Sequence, residues 1–523
     1  MSKRNAPALI LSLGITVGLI AGSVWLLSKT SPGLMPILTG QPQQSNGGLF
    51  GERSTELTLL GDTFSGYSTF RNSEFQQALN EAGVTLRYED EFDQRIRAER
   101  LSQGRADLVL TTLDQFLQQR PQGKIVGLID RTAGADAVVL NTKRYPNLKS
   151  LLDLSQLVQQ EKAQGRRVGI AFAGDTPSEY LALVLDTKFD AFNLADFDII
   201  RVADASEAWA LMQNPDQNIA IAVIWEPYVT QAQQQGYTVV LSSKDAPGAI
   251  VDVLVASDQL MQSRPELISD LLEAYYRRID TNVRDSSQLQ AQIAQDGNLS
   301  PNDAAAVIQG IEFFTATEAQ TWLKDGTLER RIGSTAAVLV LAGRLQDVPQ
   351  SNELYTDQFI AQAASNTQAL IDLVRADNPE LADRLAGRER AVSVPPTLQA
   401  SQIQAAPNIG NLQVRGQVGF GTGSSQLTAE GRQTLDQLAN EIKEFNAQTV
   451  AVRVIGHTSR TGSATFNQTL SRQRAQVVAN YFRGRGVQHN ILPEGKGFNE
   501  PLPGVNPTDS RNQRTEIRLV RIN

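Results

Sequence analysis

Between residues 56 and 257 the apolar positions follow two alternating periods. Short apolar runs of strand length fall at 57–60, 84–88, 106–110, 125–128, 137–140, 168–171, 219–224 and 238–241. Stretches with helical spacing lie between them, at 72–81, 95–103, 148–162 and from Pro177 onward. Such alternation predicts α/β layers with largely parallel sheets. The series divides into two lobes near residues 140–165, and the apolar run 250–257 is expected to return to the first lobe. Helical spacing dominates 265–385. Near the end, Val450, Val452 and Val454 alternate, which predicts a strand with one buried face. A Gly-rich polar loop from Gly456 to Gly462 follows, then a helix carrying Leu470, Val477, Val478 and Tyr481. No tandem repeat is present.

The other end of the chain has a different pattern. Residues 8–27 are uncharged and mostly apolar, preceded by Lys3 and Arg4. About 20 residues at helical rise span roughly 30 Å, the hydrocarbon thickness of a bilayer. The preceding positive charges predict a cytoplasmic N-terminus with the remainder exported, anchored in the inner membrane. The alternative is a signal peptide cleaved on export to the periplasm; against it, the apolar run is long and 28–32 offers no Ala-x-Ala site. The organisation read from these patterns is an anchor or signal at 1–28, a flexible Pro/Gly/Gln/Ser linker at 29–55, a two-lobed domain at 56–388, a second linker at 389–410 containing Pro395, Pro396 and Pro407, and a terminal domain at 411–523.

Charge and composition narrow the chemistry. The chain has 523 residues and a formal net charge of −8. From Gly410 onward 14 Lys and Arg stand against 8 Asp and Glu, a net of +6, so the preceding residues carry −14. A basic terminal domain suits an anionic partner such as cell-wall carboxylates, or is simply a solvated surface. Nucleic acid is excluded as a partner by export. Cysteine is absent, which removes disulfides, thiolate metal sites and thiol nucleophiles. Only His457 and His489 can supply imidazole, both outside the two lobes. No metal spacing or cofactor motif appears, and nothing marks an enzyme.

The terminal motifs, Gly456-His457-Thr458-Ser459-Arg460, Leu470-Ser471-Arg472-Gln473-Arg474-Ala475 and Asn512-Gln513-Arg514, resemble the OmpA-like peptidoglycan-binding domain over about 412–522. The resemblance implies that a loop Asp and a helix Arg grip the diaminopimelate of the wall peptide, the Arg pairing with a carboxylate. Arg474 matches the Arg. Ser459 stands where the family has Asp, so the charged partner is missing. Thr458, Asn467 and Arg514 match further family positions, as ligand contacts or as residues that hold the loop; Arg514 could equally be a surface ion-pair partner.

Fragments of the lobes resemble the periplasmic solute-binding proteins of ABC importers, in the branch that takes nitrate, sulfonates and pyrimidine precursors. They are Phe64-Ser65-Gly66-Tyr67, Asp107-Leu108-Val109-Leu110-Thr111-Thr112, Arg131-Thr132-Ala133-Gly134-Ala135-Asp136 and Ile224-Trp225-Glu226-Pro227, with Thr356-Asp357-Gln358-Phe359-Ile360 beyond them. Phe64 replaces the usual Trp. The resemblance implies a solute cleft between the lobes, at the carboxyl ends of the strands. Its candidate residues are Ser65, Gly66, Tyr67, Thr111, Thr112, Asp136, Thr176 and Trp225. Several have a plain structural reading: Thr176 opens a capping pattern with Pro177 and Glu179, Trp225 fits a packed core, and Asp136 and Asp252 fit loop caps or lobe contacts. Only Arg131 and Arg71 bring positive charge to these segments, so anion specificity does not carry over. The expected function is a membrane-tethered receptor that captures a small solute, docks on peptidoglycan and serves an ABC permease. The alternative is a structural or sensory link between inner membrane and wall, with a degenerate cleft.

Overall fold

The computed structural model describes residues 55–387, 395, 397–421 and 423–522. The apolar segment 8–27 lies outside them; among the described residues no helix is long and apolar enough to cross a membrane. The chain builds a first lobe from β1 (Glu56–Gly61), β2 (Thr85–Asp90), β3 (Leu108–Thr112) and β4 (Gly123–Thr132). It then crosses to a second lobe, with β5 (Asp136–Leu140), β6 (Gly169–Ala173), β7 (Asp198–Val202), β8 (Ile219–Trp225) and β9 (Thr238–Ser242). It returns through β10 (Val251–Ser257) and adds β11 (Ile311–Phe313) at an edge. The first sheet has the order β11-β4-β10-β3-β1-β2 and the second β7-β6-β8-β5-β9.

Both sheets are mixed, not largely parallel as predicted. β1 runs parallel to β2 and β3, but β10 lies antiparallel between β3 and β4. In the second sheet β6 is parallel to β7 and β8, while β5 opposes β8 and β9. The cause is the crossing itself. β4 leaves the first lobe at the carboxyl end of the sheet, so a strand coming back through the same junction must run the other way. The two crossings, 133–135 and 243–250, lie side by side: Gly134 N and Asp136 N donate to Ser243 Oγ at 2.8 and 3.3 Å.

The terminal domain holds β12 (Asn408–Asn411), β13 (Val450–Gly456), β14 (Ile491–Gly495) and β15 (Thr515–Arg521) in the order β12-β15-β13-β14. The segment expected to be a loose linker therefore ends in a helix, Ala400–Ala405, and a sheet strand. That helix also corrects the reading of β13. Its Ile403 packs on Ala451 and Val520, while the helices Ala429–Ile442 and Ala464–Gly484 bury Val450, Val452 and Val454. All seven residues of β13 are buried.

This domain is bolted to the lobes. Phe445 meets Phe189 with ring centroids 6.1 Å apart. Glu444 takes a 2.7 Å ion pair from Lys188 and a hydrogen bond from Ser334. Asn446 N donates to Asp245 O at 2.8 Å, and Arg521 lies 3.5 Å from the buried Asp245 carboxylate. Burial works against ionisation of Glu444, but Lys188 outweighs it and holds its carboxyl below the ordinary range. Glu444→Gln should strand the Lys188 ammonium and destabilise the chain by about 2 kcal/mol. Urea unfolding checks this, with the exposed Arg166→Gln leaving the midpoint unchanged.

Candidate functional site

The junction of the lobes gathers the carboxyl ends of β3 and β4 with the start of β10. Register sets a polar row across the first sheet: Asp252 stands opposite Asp130 on one side and Thr112 on the other. Paired residues point to the same face of a sheet, so two carboxylates face each other. The short turn Ser65–Tyr67 after β1 closes over them. Tyr67 Oη donates a short hydrogen bond to Asp252 Oδ1. A Cβ on Gly66 would stand 2.2 Å from Asp130 Oδ2, so only glycine lets the turn approach this closely. Asp130 is 0% exposed and Asp252 1%. Neither oxygen of Asp130, nor Asp252 Oδ2, nor the Tyr275 hydroxyl has a hydrogen-bond partner. Asp136, on the second-lobe side, is also buried and stands opposite Trp225 in the β5–β8 ladder.

The electrostatics are those of uncompensated acid. Among the described residues no Lys, Arg or His pairs with Asp130, Asp136 or Asp252. Arg131 turns away, 2.7 Å from Glu312 and against the rings of Phe314 and Trp322. Arg71 is 3.0 Å from Asp296, and Arg97 is spent on Asp62 at 2.9 Å and the Leu110 carbonyl at 2.5 Å. Burial first, then the neighbouring Asp136, raises the Asp130 carboxyl well above its ordinary range. Burial and Asp130 do the same to Asp252. Burial raises Asp136 to about 7, with Glu226 adding to the shift.

The structure thus brings Gly66, Tyr67, Thr112 and Asp136 to one place, with Ser65 half-buried at the head of the turn and Trp225 half-buried beside Asp136. It takes two expected residues elsewhere. Thr111 points to the opposite face and donates to Gln94 at 2.9 Å. Thr176 caps the helix Pro177–Lys188, accepting from Ser178 N at 3.2 Å and donating to Ala173 O at 2.8 Å. Glu179 there is neutralised by Arg201 and Arg344. Sequence reading missed Asp130 and Tyr275. The available signal was an acid set directly in an apolar strand, Leu128-Ile129-Asp130 and Ile250-Val251-Asp252-Val253.

In the terminal domain, Arg474 is 5% exposed, lies over the Phe420 ring at 4.9 Å and donates from Nε to Ser424 O at 2.9 Å. Among the described residues no carboxylate pairs with it. Burial lowers its pKa from the usual arginine value. Asn467 donates to Thr461 O at 2.7 Å and Ser463 O at 3.1 Å, so it holds the loop. Ser459 Oγ accepts from Gln513 Nε2 at 3.2 Å and shares a hydrogen bond with Thr461 Oγ1 at 3.1 Å. Thr458 N donates to Gly497 O at 2.8 Å, while its hydroxyl is buried and unpartnered. Arg514, by contrast, is committed: it chelates Glu516 at 2.9 and 2.6 Å. Burial opposes ionisation of Glu516, but His457, Arg514 and Arg518 hold its pKa at about 2. Across the start of the long helix, Ala464, Gln468, Gly497 and Phe498 line an open groove of about 380 Å³.

A raised acid pKa stabilises the fold below the ordinary carboxylate range, and that stabilisation is lost as pH rises through the folded value. Stability should therefore fall on going from pH 5 to pH 8, through the value of about 7 for Asp136. Asp130→Asn should raise Tm at pH 8 by about 3 °C and flatten this slope. Calorimetric melting across that range checks it.

Comparison with known proteins places the terminal domain. Residues 419–515 match the OmpA family. Outer membrane protein A of Shimwellia blattae is 37% identical over 99 residues, 19% of this chain and 41% of that protein. Outer membrane protein A of Bordetella avium is 31% identical over 128 residues, 24% of this chain and 65% of that protein. The chain thus spans less than two thirds of the length of these curated relatives. The lobes align with the alkanesulfonate-binding protein of Xanthomonas axonopodis pv. citri bound to MOPS, at 14% identity and a TM-score of 0.46, over 58% of this chain and 99% of that one. The periplasmic nitrate-binding protein of Synechocystis aligns at 12% identity and a TM-score of 0.45, over 60% of this chain and 89% of that one. The chain carries a two-lobed α/β body followed by an OmpA-like domain.

Proposed function

We propose that the protein is a solute receptor held between inner membrane and cell wall. Residues 1–28 tether it to the membrane or direct its export, the two lobes capture a small molecule at their junction in the periplasm, and the OmpA-like domain docks on peptidoglycan. The observation that carries the receptor reading is the junction itself. Two chain crossings lie side by side, and polar groups from both lobes converge where a hinge would let the lobes part. An ABC permease is the partner such a receptor would serve. Tyr67, Gly66, Thr112, Asp136, Ser65 and Trp225 are the cleft residues of this reading; Thr111 and Thr176 support the strands and helix that frame it.

Wall docking rests on Arg474, a buried cation of the terminal domain without a carboxylate partner among the described residues, whereas Arg514 has one. Ser459 supplies a hydrogen-bonding oxygen but no charge. Loss of that charge would cost about 2 kcal/mol, or roughly 30-fold in affinity for a diaminopimelate stem.

One observation favours a second reading, a structural link between membrane and wall. Tyr67 is 2% exposed and Thr112 4%, so the junction is filled by the protein's own side chains. A dead cleft would look like this, and so would a closed one.

Two measurements separate these. A thermal-shift panel of small anions, cations and neutral solutes on the full-length chain should yield at least one stabilising ligand; silence across the panel favours the link. Sedimentation with purified sacculi should retain the wild type, with Arg474→Ala reducing retention by about tenfold or more. Equal retention removes Arg474 from the wall site.

A further inference from the structure

The acidic row at the lobe junction has a chemical preference that the resemblance to anion binders does not suggest. Asp130 and Asp252 are held opposite each other by the β4–β10 register, in the middle of apolar strands. Like charges directly opposite on a sheet are destabilising, and a buried carboxylate without a partner is costly. Hydrophobic residues of similar size would pack the same position without that cost. The pair is nonetheless surrounded by groups that fix it and not by groups that neutralise it. Tyr67 orients Asp252, the Gly66 backbone presses against Asp130, and Tyr275 comes in from the helix Pro265–Arg284.

A second observation is independent of the acid count. Both oxygens of Asp130, Oδ2 of Asp252 and the Tyr275 hydroxyl are fully buried and unpartnered. Carboxylate oxygens accept hydrogen bonds, so what completes them is a donor. Each positive side chain near the row is already engaged: Arg97 with Asp62, Arg131 with Glu312 and Arg71 with Asp296. The protein therefore supplies no countercharge to the pair; its donors there are the Tyr67 hydroxyl and the proton that Asp130 and Asp252 share. The rings of Phe64 and Tyr67, edge to face at 5.2 Å, and of Phe70 and Tyr275, stacked at 4.7 Å, add apolar and π surface beside it. Cations are attracted to such rings. Among the described residues no group of three or more His, Cys, Asp or Glu has the arrangement of a metal site.

We propose that the junction recognises a small organic cation with several N–H donors, such as a guanidinium, an amidinium or a protonated amino-heterocycle, held by Asp130 and Asp252 with Asp136, Tyr67 and Tyr275 around it. This rests on the receptor reading above and names the class of its solute. A planar cation with N–H groups on one edge meets two carboxylates in the paired geometry that strengthens such bonds. Nitrate and sulfonates are rejected, because an anion would meet two acids and no free base. The hydroxyls of Tyr67 and Tyr275 are donors and acceptors both, so they adapt to either edge of the ring.

The test is a thermal-shift and calorimetric titration of the full-length chain in mild detergent, with agmatine, methylguanidinium and 4-aminopyridinium as cations. Nitrate, methanesulfonate and glucose are the contrasting probes. At least one cation should bind, and affinity should rise with pH as the acids ionise. Asp130→Asn and Asp252→Asn should each weaken it by about tenfold or more. Asp372→Asn, at an exposed helix site outside the junction, should not, which controls for net charge. Because the Asn variants are expected to be at least as stable as the wild type, loss of binding cannot be put down to unfolding. Binding of an anion or of glucose with no response to cations overturns the cation assignment and leaves the receptor standing. Cation binding that both Asn variants retain also overturns it, by placing the ligand elsewhere. Silence from every probe overturns both readings together.

Discussion

The antiparallel insertion of β10 between β3 and β4 is the constraint from which the rest of the lobes follows. A chain that leaves one sheet and returns to it through the same junction must reverse direction there, so the returning strand opposes both neighbours. That reversal puts the two crossings side by side, tied through Ser243. It also sets the register that aligns Asp252 with Asp130 and Thr112. A shift of a single residue would turn Asp252 to the other face. The junction and its polar row are one consequence of connectivity.

Strain of this kind is informative because the surrounding fold is otherwise well compensated. Arg97 is almost fully buried yet bonded to Asp62 and to backbone carbonyls. Glu179 is buried yet met by two arginines, and Arg453 is met by Glu494 at 2.5 and 3.0 Å. Asp130 and Asp252 have no such cation, and neither do the buried Asp114 and Asp280 elsewhere in the fold. The same logic separates Arg474 from Arg514 in the terminal domain: one cation is free of carboxylate, the other chelated.

Much of this architecture was legible from periodicity. The strand-helix alternation gave the two lobes, the return of 250–257 and the long helix after the Gly456 loop, because burial on one face leaves a clear trace. Strand direction left none. Parallel and antiparallel buried strands carry the same apolar residues, so β5 and β10 read as members of a parallel series. β13 read as one-sided because the alternating valines were visible and the helix Ala400–Ala405 covering its other face was hidden in a Pro-containing stretch. The site was half legible. Tyr67, Gly66 and Thr112 sit at strand ends, where loops meet ligands in this class of sheet. Thr111 and Thr112 read as following the strand, but both lie within β3 and so face opposite ways. Asp130 was overlooked because its meaning depends on Asp252, 122 positions later in the chain.

The docked terminal domain reaches the segments that cross between the lobes. Asn446 and Arg521 hold the crossing segment at Lys244 and Asp245. Glu444 joins Lys188 of the second lobe to Ser334 of the helix Thr327–Leu341. That helix packs against both Leu113–Gln119 in the first lobe and Pro177–Lys188 in the second. A domain that grips one crossing and both sides of the junction cannot keep all its contacts through a change in lobe angle. The Glu444 and Asp245 bonds therefore fix the angle between the lobes as they stand in this structure.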